Sequence, residues 1–420
     1  MNLKPNNYMP RLIDKKIDDL LQVSGAISIE GPKWCGKTFT SLNHASSAIN
    51  MDDEITRERF RLDPELVLNE EKPELIDEWT KESSVWDKIR RKCDFLETKG
   101  NYILSCSTSL KDENAIFHSG AGRISRLKMN TMSLYESNDS TGDISIMDMY
   151  NNKEIVKTVK KPSLEELADL IIRGGWPANI NVPKDKYGIM PKSYINSMLK
   201  KDIYESRNVD GIKMKKLLKS LARNESTVVS NNTLIKDISD NNDINIDKRT
   251  VSEYLNILDK LNLFNNQLSY SSNYRSPKRI GKNEKRHFTD PSLAAALLNL
   301  NRKKLIDDLK IFGFLFEALV ERDLKIYMDY LNGNLYYFRD NVTGLEVDSI
   351  LEFENGEYAA VEIKLGFNQF EEAKENLLKF KDNMVKKPKF MCVICGYNEN
   401  IVRDSKSGIY IIPITALKPE

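Results

Sequence analysis

The chain has 420 residues, with 63 Lys+Arg against 62 Asp+Glu and a formal charge of +1; at about 150 residues per domain it has room for two or three domains. A field this nearly neutral does not by itself draw a protein onto nucleic acid or anionic lipid, so any basic surface must be local. Apolar residues make up 40% and the mean hydropathy is −0.49; no apolar run is long enough to span a bilayer, and the opening Met1 to Asn7 lacks the apolar core of a signal peptide, so the expectation is a cytoplasmic protein with no membrane partner.

Residues 25–30 read as a short apolar strand that runs into Gly31, Pro32, Lys33, Trp34, Cys35, Gly36, Lys37, Thr38 and Phe39 and then into a helical stretch. This is G-x-x-x-x-G-K-[ST] between a strand and a helix, the setting its chemistry demands. Glycines let the backbone curl until successive N–H groups face phosphate oxygens, and the following helix adds its positive end. Residues 31–39 are therefore the expected cradle for ATP or ADP, with Lys37 on the β- and γ-phosphates and the Thr38 hydroxyl on Mg²⁺. The bland alternative is a surface loop with incidental glycines.

A second apolar run, 74–79, ends in Asp77 and Glu78. After a phosphate loop this pair reads as a magnesium-shell carboxylate, Asp77, and a base that polarises the attacking water, Glu78. A third run, 101–108, ends in hydroxyls; Ser107, preferred to Ser105, is placed to touch the γ-phosphate or that water. Three strands that finish in polar groups suit an α/β sheet with its site at the strand C-termini. Arg123 follows a glycine turn that could present it to the γ-phosphate of a neighbouring subunit, which implies a homo-oligomer; the alternative is a plain surface charge. Residues 136–162, rich in Asn, Asp, Ser and Gly, read as an irregular surface excursion.

From about 202 to 265 the pattern is helical, with segments 212–222, 233–238 and 249–261; Val251, Leu255, Leu258 and Leu261 form one apolar face. Three short helices with polar joints outline a winged helix-turn-helix, with 271–286 as wing or linker. Lys248, Arg249, Lys260, Arg275, Lys278, Arg279, Lys282, Lys285 and Arg286 give a local basic excess suited to DNA phosphates. The competing role is a lid or subunit contact.

The last domain starts near 307 with a helix at 312–330. Strands follow at 334–339, 345–354, 358–365 and 390–395, with a helix at 369–384 before the fourth and a closing strand at 408–415. Within this α-β-β-β-α-β order, Asp348 and Glu362-Ile363-Lys364 have the form D…(D/E)-x-K, in which two carboxylates hold a metal and a lysine steadies the attacking water. If one face of the hairpin is buried, its apolar odd-numbered positions must coincide. A three-residue loop at 354–356 does this and sets Asp348 across from Glu362. Ordinary cross-strand charge pairing is the alternative. The five cysteines make no disulfide framework, and Cys392 and Cys395, three apart on a strand, should point to opposite faces.

Segments 73–79, 85–90, 103–107, 119–124, 132–136, 288–294 and 313–317, together with Arg173-Gly-Gly-Trp-Pro177, resemble the prokaryotic AAA-type ATPases that carry a C-terminal domain of unknown function. The resemblance covers nearly the whole chain. It implies an α/β fold with an AAA-type parallel-sheet domain at 1–200, a winged helix at 201–300, and an α+β domain similar to restriction-endonuclease-like nucleases at 301–420, with Glu317 as a third metal carboxylate. It also implies a Mg²⁺-dependent ATPase acting on or near DNA with a metal-dependent nuclease tail, or a nucleotide-controlled switch or assembly protein whose tail docks without cutting. Cys106 departs from the glycine frequent in the family, which bears on the role of Ser107.

Overall fold

The computed structural model describes residues 3–96, 98–106, 119–203, 209–239, 246–273, 283–340 and 342–420. The chain divides into two compact units, 1–131 with 258–263, and 132–257 with 264–420. Among the described residues no helix is long and apolar enough to cross a membrane.

The first unit runs α1 (Ile13–Val23), β1 (Ala26–Glu30), α2 (Lys37–His44), β2 (Ser47–Asn50), α3 (Glu54–Leu62), α4 (Pro64–Val67), β3 (Glu74–Asp77), α5 (Ser84–Phe95), β4 (Tyr102–Cys106) and β5 (Ile124–Lys128). Its five strands are all parallel, in the order β2-β3-β4-β1-β5. Both faces are covered, which is why the inner strands are continuously apolar. Ile27, Ile29, Leu75 and Ile103 pack with Ile17 of α1; Ala26, Ile76 and Leu104 pack with Phe60, Trp86 and Ile89 of α3 and α5. Parallel strands gather the C-termini of β1, β3 and β4 at one edge.

The second unit runs β6 (Ile144–Ser145), α6 (Ile146–Tyr150), β7 (Val156–Thr158), α7 (Leu164–Arg173), α8 (Ile189–Ser197), α9 (Gly211–Arg223), β8 (Thr227–Val228), α10 (Asn231–Ser239), α11 (Lys248–Lys260, whose last turn falls in the other unit), β9 (Leu268–Ser269) and β10 (Lys285–Arg286). It continues with α12 (Pro291–Leu297), α13 (Arg302–Asp307), α14 (Leu309–Tyr330), β11 (Asn334–Arg339), β12 (Glu346–Glu352), β13 (Tyr358–Gly366), α15 (Phe370–Asn383), β14 (Met391–Tyr397), β15 (Asn400–Arg403), β16 (Tyr410–Pro413) and β17 (Leu417–Lys418). A mixed eight-stranded sheet has the order β7-β15-β16-β14-β13-β12-β11-β9. Cys392 and Cys395 lie buried and unbridged in β14.

The expected boundaries at 200 and 300 both fall within the second unit. The stretch read as a surface excursion is built into the second unit: β7 pairs with β15, and β6 with β17. Ser145 and Asp148 within it form a capping box at the start of α6, and Ser163 with Glu166, just after it, form another at the start of α7.

The β12–β13 ladder pairs Ser349 with Val361 and Glu352 with Tyr358, the three-residue-loop register. The premise of one buried face fails, because β13 is covered on both sides. Tyr358 and Ala360 pack with Phe370, Leu377 and Phe380 of α15, while Ser349, opposite Val361, reaches Glu321 of α14 at 3.1 Å. A shift in the β11–β12 register between Tyr336 and Phe338 gives β12 one extra residue at Asp348 and Ser349. That bulge flips the alternation, so Val347 and Ile350 enter the same core cluster.

Candidate nucleotide site and buried carboxylate centre

The phosphate loop leaves the C-terminal end of β1 under tight backbone constraint. A Cβ on Gly31 would meet the Met129 carbonyl oxygen at 2.3 Å, so only glycine fits. Trp34 (φ 65°) and Gly36 (φ 104°) take left-handed conformations that turn the chain into α2. Trp34, Thr38 and Phe39 are exposed at the mouth, Lys33 and Gly36 are half-buried, and Pro32 and Cys35 are buried. The Lys37 side chain folds back so that Nζ donates to the carbonyls of Gly31 (2.9 Å) and Pro32 (2.8 Å).

Three elements converge beside it. The Thr38 hydroxyl, in the first turn of α2, donates to Asp77 Oδ2 at 3.0 Å, and the Ser105 hydroxyl donates to Asp77 Oδ1. Sheet order brings this about, since β4 lies between β3 and β1 and its register sets Ser105 opposite both Asp77 and Ile29. The donor set is a hydroxyl and a carboxylate, hard oxygens of the kind Mg²⁺ takes when phosphates and water complete its shell. Glu78 follows at the same edge with φ 50°, a strained turn uncommon for a non-glycine residue. Ser107 lies outside the described residues. Ser105, ranked second from the sequence, is the serine that meets Asp77.

Arg123 stands elsewhere. Ala26 pairs with Ile124, so Arg123 sits at the N-terminal edge of the sheet, opposite the phosphate loop, where Nε donates to Asp94 Oδ1 at 2.7 Å. It does not join this chain's own nucleotide site.

In the second unit the expected metal ligands are held by lysines. Lys364 Nζ is 2.7 Å from Glu362 and 3.5 Å from Asp348. Asn376 of α15 donates to Glu362 Oε1 at 2.7 Å, and the Ile363 N–H donates to Asp348 Oδ2 at 2.8 Å. Burial, reinforced by the Asp348 charge, pushes the Glu362 carboxyl up to about 8 although Lys364 and Asn376 oppose it. Glu317 is bound by Lys285, whose Nζ also lies 3.0 Å from Glu321 and donates to the Asp348 carbonyl at 3.3 Å. His287 joins the same cluster, Nε2 2.7 Å from Glu321 and Nδ1 3.3 Å from Glu225.

Among the described residues no group of three or more His, Cys, Asp or Glu side chains is arranged to hold a metal ion. Of the three expected ligands, Asp348 and Glu362 stand beside Lys364, and Glu317 beside Lys285. Lys285 is only 4% exposed and so is no part of a basic surface. Arg275, Lys278, Arg279 and Lys282 lie outside the described residues. The sequence reading missed Lys285, His287, Glu321 and Glu225 as a unit. The available signal was Glu317 and Glu321, one turn apart in an otherwise apolar stretch of α14.

Residues 24–138 match the family model described as an AAA domain. Residues 164–304 and 312–417 match two models, each described as a domain of unknown function (DUF8612 and DUF4143). No curated protein matches the chain. Among solved structures, the Walker-type ATPase PABY2304 of Pyrococcus abyssi is similar with a TM-score of 0.42 and 10% identity, over 70% of this chain and 99% of that one. Residues 24–138 are thus similar to an AAA domain, and the parallel sheet with a glycine loop at the end of β1 has the arrangement of a P-loop nucleotide-binding fold.

Proposed function

We propose that the first unit binds ATP with Mg²⁺ and hydrolyses it, and that the second unit is a non-cutting module governed by that cycle. The observation that carries the first half is the Thr38–Asp77–Ser105 cluster beside a glycine-constrained loop. In this reading Lys37 exchanges the Gly31 and Pro32 carbonyls for the β- and γ-phosphates. Thr38 and Asp77 hold the magnesium shell, and the loop amides of residues 31–39 take the phosphate oxygens. Glu78 accepts a proton from the attacking water as the new P–O bond forms and the bond to the β-phosphate oxygen breaks, leaving ADP and phosphate. Arg123, at the far edge, would serve a neighbouring copy, so the working form is a homo-oligomer.

Lys37→Ala should abolish ATP binding in calorimetry, and Glu78→Gln should retain ATP without releasing phosphate. Wild-type turnover in both variants sinks the proposal.

The second half rests on Lys285, whose ammonium sits among Glu317, Glu321 and the Asp348 carbonyl. The order α9, β8, α10, α11, β9, β10, with β8 antiparallel to β10, supports a winged-helix reading of the middle segment. Its Lys285 and His287 point to a structural tie with α14 in preference to a DNA-reading wing. Protein incubated with ATP and Mg²⁺ or Mn²⁺ should leave single- and double-stranded DNA and RNA intact. Cleavage that disappears in Asp348→Asn would instead establish the nuclease.

A further inference from the structure

Residues 8–18, ahead of the sheet, run alongside the phosphate loop and α2. The Tyr8 hydroxyl donates to Asp14 at 2.6 Å and accepts from the Thr40 hydroxyl at 3.1 Å, and the His44 ring lies 3.1 Å from Asp14 and 2.8 Å from Asp18. Thr40 and His44 are one turn apart, so this contact braces one side of α2. At the start of that helix, Arg11 reaches the loop itself. Its guanidinium, on a residue only 7% exposed, donates through Nη1 to the Cys35 carbonyl at 2.9 Å and through Nη2 to the carbonyls of Asn130 (2.9 Å) and Thr131 (3.1 Å).

We propose that Arg11 is a positioning residue for the nucleotide, acting through the Cys35–Gly36 peptide. A trans peptide is planar, with its C=O and N–H pointing in opposite directions. Holding the Cys35 carbonyl from outside therefore aims the Gly36 N–H to the other side, into the loop, where backbone amides receive phosphate oxygens. The rigid fork of donors ties that peptide to the chain leaving β5, whose Met129 carbonyl already packs on Gly31. Gly36 has a left-handed backbone and no side chain of its own to hold it, so the external clamp fixes the orientation of the Cys35–Gly36 peptide. The nearby guanidinium charge adds to the positive field of the site.

This inference rests on the nucleotide-binding reading, and the experiment separates the two. ATP affinity is measured by quenching of Trp34 fluorescence, or by calorimetry, in wild type, Lys37→Ala, Arg11→Ala and Arg11→Lys, with thermal unfolding recorded for each. The expected result is an ATP Kd raised on the order of tenfold in Arg11→Ala, with a smaller rise in Arg11→Lys, which keeps the charge but loses the fork. If Arg11→Ala does not fold, Arg11→Lys decides by the same comparison. A purely structural arginine would lower the unfolding temperature and leave the affinity of the folded protein at the wild-type value. That outcome, with Lys37→Ala still defective, overturns the Arg11 proposal alone; a wild type that binds no ATP removes both readings.

Discussion

Lys285 Nζ lies 3.0 Å from Glu321 Oε1 with both side chains buried, and the same ammonium binds Glu317. A strand of the middle segment thus inserts its cation between two acids of α14. Removing one partner of a buried pair costs about 3–5 kcal/mol, because the other charge is left without a counterion. Lys285→Met should destabilise the second unit by about that much in urea unfolding, and adding Glu317→Gln should recover part of the loss. A change below about 1 kcal/mol would show that water or a mobile ion already compensates these acids.

The same cluster predicts a pH dependence. Burial works against charge on His287, but the Glu321 and Glu225 carboxylates outweigh it and push the imidazole from 6.5 to about 9. A group with a raised folded pKa contributes stability that is complete below its unfolded value and lost as pH rises through the folded one. The His287 contribution is therefore full below pH 6.5 and declines between 6.5 and about 9. Glu362, raised from 4.5 to about 8, adds a fall of the same sign that begins nearer pH 4.5. Denaturant midpoints between pH 6 and 9.5 should fall in wild type and fall less steeply in His287→Gln, where the Glu362 contribution remains; parallel curves would remove His287 from the account.

Asp77 receives both the Thr38 and the Ser105 hydroxyls. Asp77→Asn should raise the Mg²⁺ concentration for half-maximal ATP turnover about tenfold or more, read from a magnesium titration at fixed ATP. An unchanged titration would place the metal's protein contacts elsewhere.

Arg123 stands at the edge of the sheet opposite the phosphate loop, tied to Asp94. If it completes a neighbour's site, Arg123→Ala should lower turnover by about 10³-fold with ATP affinity unchanged. Wild-type turnover per chain should then rise with protein concentration until assembly is complete. Concentration-independent turnover, with no loss in Arg123→Ala, retires the trans role.

The phosphate loop could be read in the chain because its function is a backbone conformation, which Gly31, Gly36, Lys37 and Thr38 encode over eight consecutive residues. The hairpin register also came out as expected, although the premise that selected it, one buried face, does not hold in the structure. The bulge at Asp348 and Ser349 was not legible, because it is a mismatch with β11 and shows in neither β12 nor β13 alone.

What the sequence by itself determined is thus local: the strand-loop-helix around Lys37, the α-β-β-β-α-β order of the tail, and the carboxylates that end β3. Tertiary structure decided which charges meet. Glu317 and Lys285 are 32 positions apart and Arg11 and Asn130 are 119 apart. Pairings at such distances follow from how strands and helices stack, and each buried charge takes whichever partner that stacking brings within reach.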